Sequence, residues 1–101
     1  MSRIDKLRDF LAADPNDSFT RYAIGLEYGK DENYPKAIRV LEELRELDPE
    51  YVPLYYMLAG YYREMGDLEN AEATYREGIT KAREANDLHA LSELEAALDE
   101  L

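Results

Sequence analysis

An internal repeat is the feature that most constrains what this chain can fold into. When the sequence is shifted by 34 positions, identical residues coincide at apolar, small and turn positions: Ile4 with Ile38, Leu7 with Leu41, Asp14-Pro15 with Asp48-Pro49, Tyr22 with Tyr56, Tyr28 with Tyr62, Ala37 with Ala71, and Glu43 with Glu77. We call this shift one period. Periods of about 20–50 residues are typical of proteins in which one small structural unit stacks on its own copies. The 101-residue chain is therefore predicted to be a single domain made of such units.

The spacing within each period is helical. Apolar residues recur at steps of three and four, and residues that start or stop helices separate them. Asn33 and Asp67 are predicted N-caps, Gly66 is predicted to close the helix before Asp67, and the two Asp-Pro pairs end helices because proline cannot continue one. The sequence predicts an all-α fold of about six antiparallel helices and no strand, with helices near residues 2–13, 18–30, 34–47, 53–65, 68–84 and 88–100.

The pattern of these residues resembles the tetratricopeptide repeat. Its signature of an apolar residue and a small residue, then tyrosine, then alanine, is present twice: as Ile24-Gly25-x-x-Tyr28 with Ala37, and as Leu58-Ala59-x-x-Tyr62 with Ala71. The small residues are expected where paired helices approach closely. The resemblance implies an α-solenoid of helix pairs that binds other proteins.

Two departures from the family pattern shape the predicted boundaries. Arg21 stands where the family prefers an aromatic residue, and Arg83 replaces the terminal proline, so the fifth helix is expected to run on towards Ala85. After it the register of the repeat fails, and a capping helix is expected there, with an apolar stripe formed by Leu88, Leu91, Leu94, Leu98 and Leu101. The predicted divisions are an N-terminal half-repeat helix at 2–15, a first repeat at 16–49, a second repeat at 50–85 and a cap at 86–101.

Residue chemistry argues against an enzyme. The chain has no cysteine and one histidine, His89, which is expected to be solvated on a surface helix. Carboxylate neighbours such as Glu42-Glu43, Glu69 with Glu72, and Glu93 with Glu95 have the spacing of a solvent-facing helix surface. No glycine-rich loop has phosphate-binding spacing. The sequence predicts no catalytic residue, no metal and no cofactor.

The charge restricts the partners. Twenty-three acidic residues against twelve basic ones give a net charge of -11, which disfavours nucleic acid and anionic membranes. No apolar run approaches the ~18 residues of a membrane span, and a cytoplasmic location is expected for a chain without cysteine. A salt-rich cytoplasm, a basic partner or an ordinary solvated surface would each explain the acidity.

The candidate binding residues follow from the resemblance, which implies that the first helix of each pair lines a concave groove. Tyr22 and Tyr56 recur one period apart without occupying signature core positions, and aromatic residues and arginine are the types that dominate protein interfaces. Packing between the first helices is the alternative explanation for the two tyrosines. The predicted groove residues are Phe19, Tyr22, Leu26, Lys30, Tyr56, Gly60 and Arg63.

The predicted function is a non-enzymatic adaptor whose partner is another protein or peptide, apolar with basic flanks as an option. Some tetratricopeptide arrays bind the C-terminal carboxylate of a partner with lysine and asparagine side chains in the groove. The corresponding positions here hold Tyr22, Leu26 and Met57, so the resemblance disfavours such a carboxylate clamp. A monomer is favoured. The alternative is a structural module that self-associates as a homodimer through an end helix.

Overall fold

The fold consists of six α-helices connected by short turns. A computed structural model describes residues 2–101, and no part of that range forms a strand. The helices are α1 (Arg3–Ala13), α2 (Ser18–Lys30), α3 (Tyr34–Leu47), α4 (Pro53–Glu64), α5 (Leu68–Glu84) and α6 (Leu88–Asp99). The predicted all-α fold and its six helices are confirmed. The division into a half-repeat, two repeats and a cap stays a prediction, because helix bounds alone do not set repeat boundaries.

The helix ends follow from residues adjacent to them. The side chains of Asn33 and Asp67 accept hydrogen bonds from the amides of Lys36 and Asn70, which confirms both predicted N-caps. Gly66 has φ +79°, the left-handed conformation that glycine adopts without a steric penalty. Two other turns place a non-glycine residue in the same conformation: Glu32 before α3 and Asn86 before α6.

The helices form two layers. Each helix packs against the next along the chain, and α2, α4 and α6 also contact one another in order. These three helices make one face of the molecule, and α1, α3 and α5 lie behind them. The side chains that are completely buried between the layers are mostly apolar and include Leu41, Leu44, Leu54, Tyr55, Leu58 and Leu94.

The small signature residues let the layers approach. A Cβ atom built on Gly25 would lie 2.6 Å from Leu41 Cδ2, and one built on Gly78 would lie 2.6 Å from Tyr55 Cβ. Ala37, Ala59 and Ala71 are fully buried. The expectation that Gly25 and these alanines stand where helices come close is confirmed.

Arg21 takes over the part that Tyr55 plays one repeat later. The Tyr55 hydroxyl donates to the Pro49 carbonyl over 2.5 Å and also approaches Glu77. Arg21 donates to the carbonyl of Pro15 over 3.0 Å and to Glu43. Arg21, Pro15 and Glu43 lie one period before Tyr55, Pro49 and Glu77. A guanidinium and a phenol therefore make equivalent contacts to an Asp-Pro turn and to the next helix of the rear layer, which consists of α1, α3 and α5.

The register of α6 differs in part from the expectation. Leu94 is buried and Leu91 and Leu98 are half-buried. Leu88 is 68% exposed, and Leu101 is exposed beyond the end of α6, so the places of these two residues in the stripe were wrong. Leu88 is the first residue of α6. The long α5 ends at Glu84 and displaces α6 from the register of the repeat, as expected from Arg83.

Candidate functional site

Two apolar depressions open on the face formed by α2, α4 and α6. Tyr56 and Met57, on the middle of α4, line both of them. We call the two depressions together with this shared wall the groove. Tyr56 stays 42% exposed while the edge of its ring packs against Tyr75, with ring centroids 6.3 Å apart.

The first depression, of about 330 Å³, lies between the C-terminal ends of α2 and α4. It is lined by Gly29, Lys30, Tyr34, Tyr56, Met57, Gly60, Tyr61 and Glu64. Tyr61 is buried here, and its ring centroid lies 5.6 Å from that of Tyr34. A Cβ atom on Gly29 would come within 2.6 Å of Tyr61 Cε1, so only glycine leaves room for this ring. Gly29 thereby fixes the position of the tyrosine at the bottom of the depression.

The second depression, of about 380 Å³, lies between the N-terminal half of α4 and helices α2 and α6. It is lined by Tyr22, Val52, Pro53, Tyr56, Met57, Asp87, His89, Ala90, Glu93 and Leu94. Tyr22 packs against Tyr51 with ring centroids 5.5 Å apart. Burial, and then the charge of Glu93, raise the pKa of the Tyr22 hydroxyl, so it stays protonated at neutral pH.

Carboxylates lie at both ends of the groove. Glu64 lines the first depression, while Asp87 and Glu93 line the second. His89 Nε2 lies 3.3 Å from Glu93 Oε1, and its side chain is 85% exposed, which agrees with the expected surface position. Lys30, beside the first depression, pairs with Glu27 over 3.5 Å. The groove therefore has an apolar floor and an acidic rim with few cations.

The structure brings four of the seven predicted groove residues together. Tyr22, Lys30, Tyr56 and Gly60 line the depressions. The other three lie elsewhere: Phe19 is exposed outside both depressions, Leu26 packs against the core, and Arg63 pairs with Glu100 and faces the Tyr75 hydroxyl.

Sequence reasoning missed the aromatic pair of the first depression. Tyr34 and Tyr61 have no identical partner one period away, and neither does Gly29, so the repeat gives no signal for them. Met57 was considered only as a clamp position. The packing of α2 on α4 brings these residues together.

A larger hollow of about 630 Å³ lies between α5 and α6, but its chemistry is different. It is lined mainly by Arg76, Arg83, Glu95 and Asp99, and its arginines pair with Glu72 and Glu95. Such a compensated polar surface suits the end of a repeat array. Within residues 2–101, no group of three histidine or acidic side chains is placed to hold a metal, and no helix has the length and apolar character to cross a membrane.

Comparisons with known proteins agree with this architecture. A family model described as tetratricopeptide repeat matches residues 30–98. The crystal structure of a tetratricopeptide repeat domain protein from Salinibacter ruber is 42% identical in sequence, with a TM-score of 0.79 over 83% of this chain and 93% of that one. A protein from Bordetella parapertussis, solved in solution, has a TM-score of 0.86 over 99% of this chain and 87% of its own, and its 22% identity shows likeness of fold alone.

A curated relative extends the likeness to a much longer protein. Anaphase-promoting complex subunit 3 from Dictyostelium discoideum is 28% identical over 68 residues, which is 67% of this chain. The chain spans 7% of the length of that relative.

Proposed function

The chain belongs to the tetratricopeptide repeat family, and we propose that it is an adaptor that holds another protein in the groove formed by α2, α4 and α6. Repeat arrays of this fold serve interactions between proteins, and their members are generally non-enzymatic scaffolds. The relative from Dictyostelium discoideum is by its name a subunit of a complex, which supports the proposal. A cytoplasmic location is part of it, supported by the lack of cysteine.

The exposure of Tyr56 at the centre of the groove carries the proposal. An aromatic ring that is 42% exposed, with an apolar depression on each side, is the kind of residue that contributes most to protein interfaces. Tyr22, its equivalent in the first repeat, is half-buried against Tyr51. Packing against Tyr51 thus explains why part of the Tyr22 side chain is covered, whereas the exposed part of Tyr56 is free to contact a partner.

Replacement of Tyr56 by alanine tests the proposal. The immobilised chain should retain a defined set of proteins from the native lysate, and Tyr56→Ala should lose them, because truncation of a central aromatic anchor removes about 2 kcal/mol or more of binding energy. Phe10→Ala is the matched control, since Phe10 is an exposed aromatic residue on α1, away from the groove. Equal retention by the wild type and Tyr56→Ala would contradict the groove assignment.

One observation favours self-association as a second function. Phe10 is 64% exposed, whereas Leu44, its equivalent one period later, is fully buried. No helix within residues 2–101 covers Phe10, so α1 offers an apolar contact that could join two copies. Sedimentation equilibrium separates the two functions: a dimer that Phe10→Ala dissociates supports self-association, and a monomer at high concentration supports the adaptor.

A further inference from the structure

The two ends of the array are incomplete in opposite ways. In the front layer, which consists of α2, α4 and α6, helices α2 and α4 are each followed by a rear helix that packs against them, α3 and α5. Among the described residues, no front helix precedes the rear helix α1, and no rear helix follows the front helix α6. Because each unit of a repeat array packs on its neighbours, both ends leave a surface uncovered. The α1 of one copy and the α6 of another would together make one complete helix pair.

Phe10 lies on the side of α1 where a front helix would pack. Its equivalents one and two periods later, Leu44 and Gly78, are both buried. A Cβ atom built on Gly78 would lie 2.6 Å from Tyr55 Cβ, which belongs to the front helix of the same pair. In the part of the chain that the structure describes, α1 has no such front helix, so the Phe10 side chain stays exposed at this end of the array.

The hollow between α5 and α6 lies where the rear helix of a further repeat would pack. Ile79 lines it and lies one period after Arg45, which donates to Glu77 on the following rear helix over 3.1 Å. Ile79 of α5 and Leu98 of α6 give the hollow an apolar floor. Its volume of about 630 Å³ is in the range that holds small molecules, so a phenyl ring fits.

The two uncovered ends also differ in charge. Helix α1 carries three cations and two carboxylates, whereas α6 carries three carboxylates and neither lysine nor arginine. Lys6 is exposed one turn before Phe10, on the same side of α1. Glu95 and Asp99 of α6 line the hollow. Although the chain as a whole has a net charge of -11, the helices at its two ends therefore attract each other.

We propose that copies of this chain associate head to tail, with Phe10 of one copy in the hollow between α5 and α6 of the next. There α1 takes the place of the missing rear helix, Lys6 lies beside Glu95, and Asp9 lies beside Arg83. The two contacting surfaces differ, so the contact is heterologous and adds copies in an open chain. A dimer through two α1 helices would instead use Phe10 on both sides and leave the hollow empty. The hollow shares no lining residue with the groove, so a stacked copy can still hold a partner there.

Two variants that each remove one side of the contact provide the test in sedimentation equilibrium. Phe10→Ala removes the inserted ring, and Thr80→Trp fills the hollow with an indole. Both positions are exposed, so the fold should persist, which circular dichroism checks. The average mass of the wild type should rise with concentration beyond that of a dimer, and each variant alone should associate about tenfold or more weakly. A one-to-one mixture should regain the wild-type affinity and stop at a dimer, because one intact Phe10 meets one intact hollow.

A charge reversal supplies a matched control. Lys6→Glu should weaken association of the full chain about two- to fivefold, as loss of an exposed ion pair does. Arg39→Glu makes the same charge change at an exposed position of α3, away from both ends, and should leave association unchanged. The inference is overturned if the wild type stays monomeric at its highest soluble concentration, if the mixed variants do not associate, or if Thr80→Trp associates like the wild type. A dimer that depends on Phe10 and tolerates Thr80→Trp would assign Phe10 to a contact between two α1 helices.

Discussion

Replacement of Gly60 by alanine should make the protein more stable and should weaken the binding of a partner in the groove. Glycine in a helix interior destabilises by about 0.5–1 kcal/mol relative to alanine. Because a Cβ atom on Gly60 meets nothing within 4 Å, no steric term opposes this gain. Urea unfolding followed by circular dichroism should show a free energy of unfolding raised by about 0.5–1 kcal/mol. For a domain of this size the melting temperature should rise by a few degrees, at about 4–8 °C per kcal/mol.

Two other glycines supply controls in which the same substitution meets atoms. Gly78→Ala would place its Cβ 2.6 Å from Tyr55 Cβ in the core and should destabilise by about 1–3 kcal/mol, because the packed helices must move apart. Gly29→Ala would collide with the Tyr61 ring and should also destabilise. The argument from open space fails if Gly60→Ala unfolds at a lower urea concentration than the wild type. The groove assignment fails if Gly60→Ala retains more of the proteins captured from the native lysate than the wild type does.

Three further predictions concern the whole fold. Glu32→Gly should raise the urea midpoint, because Glu32 holds φ 57° at the position where Gly66 stands one repeat later, and a side chain there costs about 1 kcal/mol; an unchanged or lower midpoint would refute this account of the turn. Burial raises the pKa values of Tyr61 and Tyr62 from 10.0 to about 12 in the folded protein. Because the unfolded chain releases these protons first, the free energy of unfolding should fall as the pH rises from 10 to 12. Constant stability across that range would refute this prediction. Because the net charge is -11 and the Debye length falls from ~10 Å at 0.1 M salt to ~3 Å at 1 M, the melting temperature should rise with sodium chloride over that range; a flat or falling curve would remove the salt-rich interpretation of the acidity.

The repeat allowed the fold to be predicted almost completely. Helix spacing and caps such as Asn33 and Asp67 act locally, so residues close in sequence fix the ends of the helices. Leu88 was misplaced because α6 does not keep the register of the repeat: Leu88 is exposed, whereas Leu54, one period earlier, is fully buried.

The groove could be predicted only where it follows the repeat. Tyr22 and Tyr56 are found by comparing one period with the next. Tyr34 and Tyr61 come together because Gly29 makes room for a ring from another helix, and no periodic signal marks such a contact. Arg63 lies on α4 as predicted and pairs with Glu100 at the C-terminal end of α6, and its part in binding stays a prediction.

The shared role of Arg21 and Tyr55 changes how a repeat of this kind should be defined. Both side chains donate to the carbonyl of an Asp-Pro turn and reach a glutamate on the following rear helix. The position thus requires a long side chain that ends in a hydrogen-bond donor, and both a tyrosine and an arginine provide one. Arg21 lies before residue 30, where the family match begins, although its contacts are those of a complete unit. Repeats counted by bonding geometry will therefore extend further along such chains than repeats counted by aromatic signatures.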